Sequence, residues 1–183
     1  MELETKYCAG TTEMTLTAGH VIEGYASLFG RADQSGDIVE VGAYGRWLGD
    51  LSARGGRVAM LWQHEAASPI GVWDEVREDD RGLYVRGRLV LETRHGAEAA
   101  ALLGAGAIDG LSIGYRTLRA VRDKEGRRRL EEIDLWEVSL VTFPMLAEAR
   151  LGGAKGETPS EAPAAAAEEL AAALRDARRM LAR

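Results

Sequence analysis

The sequence predicts an α+β fold, a small, partly closed antiparallel β-barrel flanked by helices, with a helical tail at the C-terminus. Two observations carry this reading. Runs of apolar and alternating residues four to ten long recur along the chain, each bounded by Gly, Pro, Asp or Ser clusters, as strands of a meandering sheet are. Only two windows before residue 150 have helical spacing, and several strands around few helices curl into barrels more readily than into layered α/β folds. At 183 residues and 46% hydrophobic, the chain is long enough for one domain with a substantial core and a segment outside it.

Taken in order, residues 1–20 read as an N-terminal extension, and Val21 to Gly30 as the first long strand, followed by the polar loop 32–37. Tyr44 to Leu51 reads as a short helix turning Trp47 and Leu48 inward, weakened by Gly45 and Gly49. Arg57 to Gln63 and Ile70 to Arg77 are strand-like, then come the turn Asp79 to Gly82 and the strand Leu83 to Leu91. Thr93 to Leu103, rich in Ala and Leu, reads as a helix stopped by Gly104. A strand from Leu111 to Leu118 leads into Lys124 to Arg129, a basic, solvated hairpin tip with Gly126 at its turn. The strand Leu135 to Val141 follows and is closed by Pro144. Trp62, Trp73 and Trp136 read as core or pocket wall.

Residues 21–150 thus form the globular domain. Beyond them, 151–163 is rich in Gly, Pro, Glu, Ser and Ala, as flexible linkers are. Residues 164–183 are alanine-rich, with Leu170, Leu174, Ala177 and Leu181 at helical spacing and with acidic residues early and basic ones late, an order that suits the helix macrodipole.

Composition excludes several function classes. A formal charge of −6 argues against a general nucleic-acid binder. The single Cys8 precludes an internal disulfide and fits a reducing compartment. His20, His64 and His95 lack close metal-ligand spacing, so no metal and no cofactor is expected. No apolar stretch approaches the roughly 20 residues that cross a bilayer and no signal-peptide pattern is present, so a cytoplasmic protein without a membrane partner is expected.

Three segments carry chemistry: Trp62-Gln63-His64, Gly110-Leu111-Ser112-Ile113-Gly114-Tyr115 and Trp136-Glu137-Val138-Ser139-Leu140-Val141. They offer a base, a nucleophile and a carboxylate. On a regular strand Ser112 shares its face with Gly110 and Gly114, which leaves its hydroxyl without a bulky neighbour and lets another backbone, such as a peptide substrate, approach. On strict alternation Glu137 shares a face with Ile133, Leu135 and Val141, where an unpaired carboxylate is costly to bury and a histidine is a sensible partner. Asp134 and Glu132 are alternatives for the carboxylate, but the same alternation points them to the opposite face. Arg116 lies on the nominal face of Ser112. Four strand residues span about 13 Å, while an oxyanion donor sits about 3 Å from the developing charge, so backbone N–H groups of a nearby loop are better candidates.

The order of His64 in MLWQH, Ser112 in GLSIGY and Glu137 in WEVSLVTFP, with GYASLFG near the N-terminus, resembles the prohead (capsid maturation) serine proteases of tailed bacteriophages over roughly Val21 to Ala149. The resemblance implies a serine endopeptidase with His64 as base, Ser112 as nucleophile and Glu137 as third member, and a fold distantly similar to the herpesvirus assemblins. It implies as substrate and partner the major capsid protein precursor or a scaffold segment, with self-cleavage and homo-oligomers both compatible, and as its place of action the assembling prohead in the host cytoplasm. The competing reading is a catalytically silent assembly factor that uses the same domain to bind capsid precursors.

Overall fold

The structure is a computed structural model that describes residues 20–142 except Gln34, together with the backbone of residues 4–7 and 15–17. Cys8, Pro144, the linker 151–163 and the helical tail 164–183 lie outside the described residues.

The described residues form one nine-stranded sheet and two helices. The strands are β1 (Glu4–Tyr7), β2 (Thr15–Thr17), β3 (Val21–Leu28), β4 (Ile38–Val39), β5 (Ala59–Trp62), β6 (Glu65–Glu78), β7 (Gly82–Leu89), β8 (Gly110–Arg122) and β9 (Arg128–Val141). Their order across the sheet is β1-β8-β9-β5-β6-β7-β3-β2, with β4 beside β9. The sheet curls until β3 packs against β8, although four strands separate them along the ladder. β1 and β2 remain at its two ends, so this is a half-barrel rather than a closed one. It is also mixed, not purely antiparallel: β4 and β5 both pair with β9 in parallel. Parallel neighbours need a long crossover, and here α2 and three strands, β6, β7 and β8, lie between β5 and β9 along the chain.

The helices follow local signals. α1 (Gly45–Ala53) holds Trp47 and Leu48 half-buried against the core. α2 (Arg94–Gly104) starts at Thr93, whose hydroxyl accepts from the Gly96 N–H at 3.0 Å, an N-cap. Gly104 is not the stop but the last helical residue. The left-handed residue that ends the turn is Gly106, at φ +67°. The turn joining β6 to β7 is built by Asp79, whose carboxylate accepts from the N–H groups of Arg81 and Gly82. At the β8–β9 tip, Gly126 takes φ +80° and Asp123 accepts from the N–H groups of Glu125 and Arg127.

One irregularity decides which residues face which way. Gly114 pairs with Glu137 but Tyr115 pairs with Leu135, so Trp136 is an extra residue, a β-bulge. Cross-strand partners share a face. Leu111, Ile113 and Tyr115 therefore stand with Leu140, Val138, Leu135 and Ile133 on the core face, all buried. Ser112 and Gly114 stand with Ser139 and Glu137 on the other. The bulge thus overturns the strict alternation expected for this strand: Glu137 faces away from Leu135 and Ile133, and Asp134, paired with Arg116, is on its side of the ladder. Trp136 itself is 39% exposed, whereas Trp73 is buried and donates its Nε1–H to the Val138 carbonyl at 3.3 Å.

Candidate active site

The ladder places the polar residues. Opposed in register, Ser112 on β8 meets Ser139 on β9, and Gly114 meets Glu137 two pairs further along. On the far edge of β9, β5 runs parallel with Trp62 beside Leu140, and delivers the chain to the turn at Gln63-His64. Both turn residues lie in the left-handed region, at φ +51° and +62°, a conformation uncommon outside glycine. It turns the imidazole back over β9 toward β8.

The three side chains expected from the sequence meet there. Ser112 Oγ lies 2.7 Å from His64 Nε2, and His64 Nδ1 lies 2.6 Å from Glu137 Oε1. A carboxylate can only accept, so Nδ1 carries the proton, and in the neutral imidazole Nε2 then presents its lone pair to the serine hydroxyl. Ser112 is 0% exposed and Glu137 3%, in a setting where a carboxylate is stable only when its oxygens are hydrogen-bonded. Both oxygens are: Oε1 receives the imidazole, and Oε2 receives the Ser139 hydroxyl at 2.5 Å.

Gly114 is what admits the carboxylate. A Cβ at this position would stand 2.1 Å from Glu137 Oε1. The space beside Ser112 that the sequence suggested for an approaching substrate backbone is therefore filled, on the Gly114 side, by the Glu137 side chain.

The alternatives are engaged elsewhere. Asp134 pairs with Arg116, and Glu132 accepts from Arg46 at 3.0 Å. Arg116 points its guanidinium to that partner on the outer surface. His20 and His95 lie outside the site, and among the described residues no three His, Cys, Asp or Glu side chains stand close enough to hold a metal ion. Among them, too, no helix is long and apolar enough to cross a membrane. Ser139 was not singled out by the sequence. Its signal was its spacing, two residues from Glu137 and so on the same face of a strand.

Comparison with known proteins places this arrangement. Over 138 residues the chain is 33% identical to the prohead protease of Enterobacteria phage HK97, covering 74% of this chain. The chain spans 60% of the length of that relative. Among solved structures, the capsid assembly protease of bacteriophage T4 has the same fold, with a TM-score of 0.58 at 17% identity over 76% of this chain and 96% of the other. The varicella-zoster virus protease gives a TM-score of 0.34 at 13% identity over 66% of this chain and 56% of the other, a likeness too slight to bear on the fold. Residues 9–159 match the model of the caudovirus prohead serine protease family, a span that takes in strands β2 to β9 and all three residues of the Ser-His-Glu cluster, and the chain belongs to that family.

Proposed function

We propose that the protein is a serine endopeptidase of His-Ser-Glu type that cleaves the capsid-protein precursor or a scaffold segment during prohead maturation. The observation that supports this reading best is the unbroken line of short contacts from Ser112 Oγ through both imidazole nitrogens to a buried carboxylate. A serine hydroxyl is a weak nucleophile at neutral pH. As Oγ attacks a peptide carbonyl carbon, its proton passes to His64 Nε2, the C=O π bond opens to an oxyanion, and a tetrahedral adduct forms. The imidazolium then gives that proton to the leaving amine as the C–N bond breaks, which leaves an acyl-enzyme for water to hydrolyse by the same route. Glu137 fixes the Nδ1–H tautomer and balances the imidazolium charge without taking the proton.

A silent assembly factor that only binds precursors has no use for a carboxylate buried to 3% beside an imidazole, an arrangement costly to maintain. The substrate, and any second copy of the chain, would be met inside the assembling particle. Co-expression with the capsid precursor tests the proposal. The full-length chain should yield a shortened precursor with one new N-terminus by mass spectrometry, and folded Ser112→Ala should leave it intact. Normal processing by folded Ser112→Ala would sink the proposal.

A further inference from the structure

We propose that Ser139 is a positioning residue for the His64–Glu137 pair, a role that rests on the triad reading above. Its single hydroxyl makes two contacts at once: it donates to Glu137 Oε2 at 2.5 Å and accepts from the backbone N–H of His64 at 3.1 Å. One oxygen thereby joins the carboxylate to the backbone of the base, independently of the imidazole contact between them. Ser139 is 0% exposed, so water cannot take over either bond.

The turn that Ser139 grips needs holding. Gln63 and His64 are consecutive left-handed residues without a glycine, and such conformations persist only where surrounding contacts over-determine them. The end of β9 and the residue after it supply such contacts. The Gln63 N–H donates to the Leu140 carbonyl at 3.0 Å, the Gln63 amide nitrogen donates to Thr142 Oγ1 at 2.7 Å, and Gln63 Oε1 accepts from the Thr142 N–H at 3.3 Å. Gln63 clips the outer side of the turn, and Ser139 holds its inner side against Glu137. With Ser139 removed, the His64 N–H and Glu137 Oε2 each lose a partner in a dry site. The turn is then free to relax from its left-handed form, and the imidazole moves relative to Ser112.

The test uses a fluorophosphonate, a reagent class that labels an activated serine, with the labelled residue located by mass spectrometry. The full-length chain should label at Ser112. Ser139→Ala should label about 10- to 100-fold more slowly, the scale on which a misplacement of about 1 Å acts, while Ser139→Thr, which keeps the hydroxyl, should restore most of the rate. Proton NMR separates positioning from mere packing: the His64 Nδ1–H held by Glu137 should give a resonance far downfield that broadens or moves in Ser139→Ala and persists in Ser139→Thr. Should Ser139→Ala not fold, Ser139→Cys decides, because it keeps the volume but donates weakly and should label slowly with an altered resonance. Labelling of a folded Ser139→Ala or Ser139→Cys protein at the full rate, with an unchanged resonance, overturns the role of Ser139 alone. His64→Ala labelling as fast as the unaltered chain would overturn the triad, and this proposal with it.

Discussion

The two ends of the β8–β9 hairpin share strands and ladder but treat charge in opposite ways. At the tip, Arg119 pairs with Glu131 at 3.1 Å and Arg127 with Asp123 at 2.8 Å, all in reach of water. At the base, Glu137 has both oxygens committed to neutral donors and is sealed from solvent. Exposed pairs of the first kind contribute little, because screening and side-chain entropy offset most of the attraction. A buried carboxylate of the second kind is costly unless each partner stays in place. The same residue type is solvated decoration at one end and a fixed chemical group at the other, and environment alone makes the difference.

The largest effects should come from the base. His64→Ala should lower the turnover of a processing-site peptide by about a million-fold, as much as Ser112→Ala, because in the proposed mechanism nucleophile and base act as a unit. Single-turnover cleavage by the two folded variants checks this, and a His64→Ala protein retaining a tenth of the rate would break the assignment.

Glu137→Gln should cost less, about 10⁴-fold, in line with other triad carboxylates. Asp134→Asn, on the same side of the ladder but paired with Arg116, should leave the rate within about twofold. The reverse ranking would show that burial at the base does not mark the reacting carboxylate.

Gly114→Ala tests the packing that makes the base possible. Its Cβ would stand 2.1 Å from Glu137 Oε1, so the carboxylate must swing off the imidazole or the strands must part. Cleavage should fall about 100-fold or more, on the scale expected of a misplaced catalytic group. A second change, Glu137→Asp, shortens the side chain and should recover part of the folding loss in a thermal melt. An unaffected Gly114→Ala would show that Glu137 reaches His64 by another path.

The smallest effects belong to the tip. Asp123 is held below the usual carboxylate range: partial desolvation works against this, and the hydrogen bonds from Arg127 and from the N–H groups of Arg127 and Glu125 outweigh it. A depressed folded-state pKa stabilises the fold above the ordinary carboxylate value, near 3.9, and that contribution is lost as pH falls through the folded value. Carbon-detected NMR titration should therefore find Asp123 titrating below 3.9. Asp123→Asn should flatten the acid limb of the thermal melt without changing cleavage at neutral pH. A loss of cleavage would couple tip and base, and break the contrast between them.

Much of this contrast was legible in the residues. The strand runs, the turn at Gly126 and the helix starting near Thr93 are local signals, and the chain folds them where they stand. That His64, Ser112 and Glu137 would come together was legible because each is a reactive type set in an apolar or glycine-bearing run. The bulge at Trp136 was not, since an extra residue in one strand is defined only by the register of its partner. The expectation that Glu137 shares a face with Leu135 failed for that reason, although its need for a partner held. Gly114 was read as room for a substrate, because a glycine shows that something approaches and not what. The parallel pairing of β5 with β9 was equally hidden, as it joins segments more than seventy residues apart.

That pairing also sets a sequence of events. Strands β8 and β9 are consecutive and meet through a short turn, so Ser112 and Glu137 can find each other by local closure, a fast process. His64 arrives only when β5 docks alongside β9, after everything between them has been ordered, and such distant parallel contacts are the slow ones in folding. On the triad reading proposed above, the proton acceptor is the last part to be installed. On that reading, a chain still emerging during synthesis, or caught half-folded, should carry a serine without a base until the domain is complete.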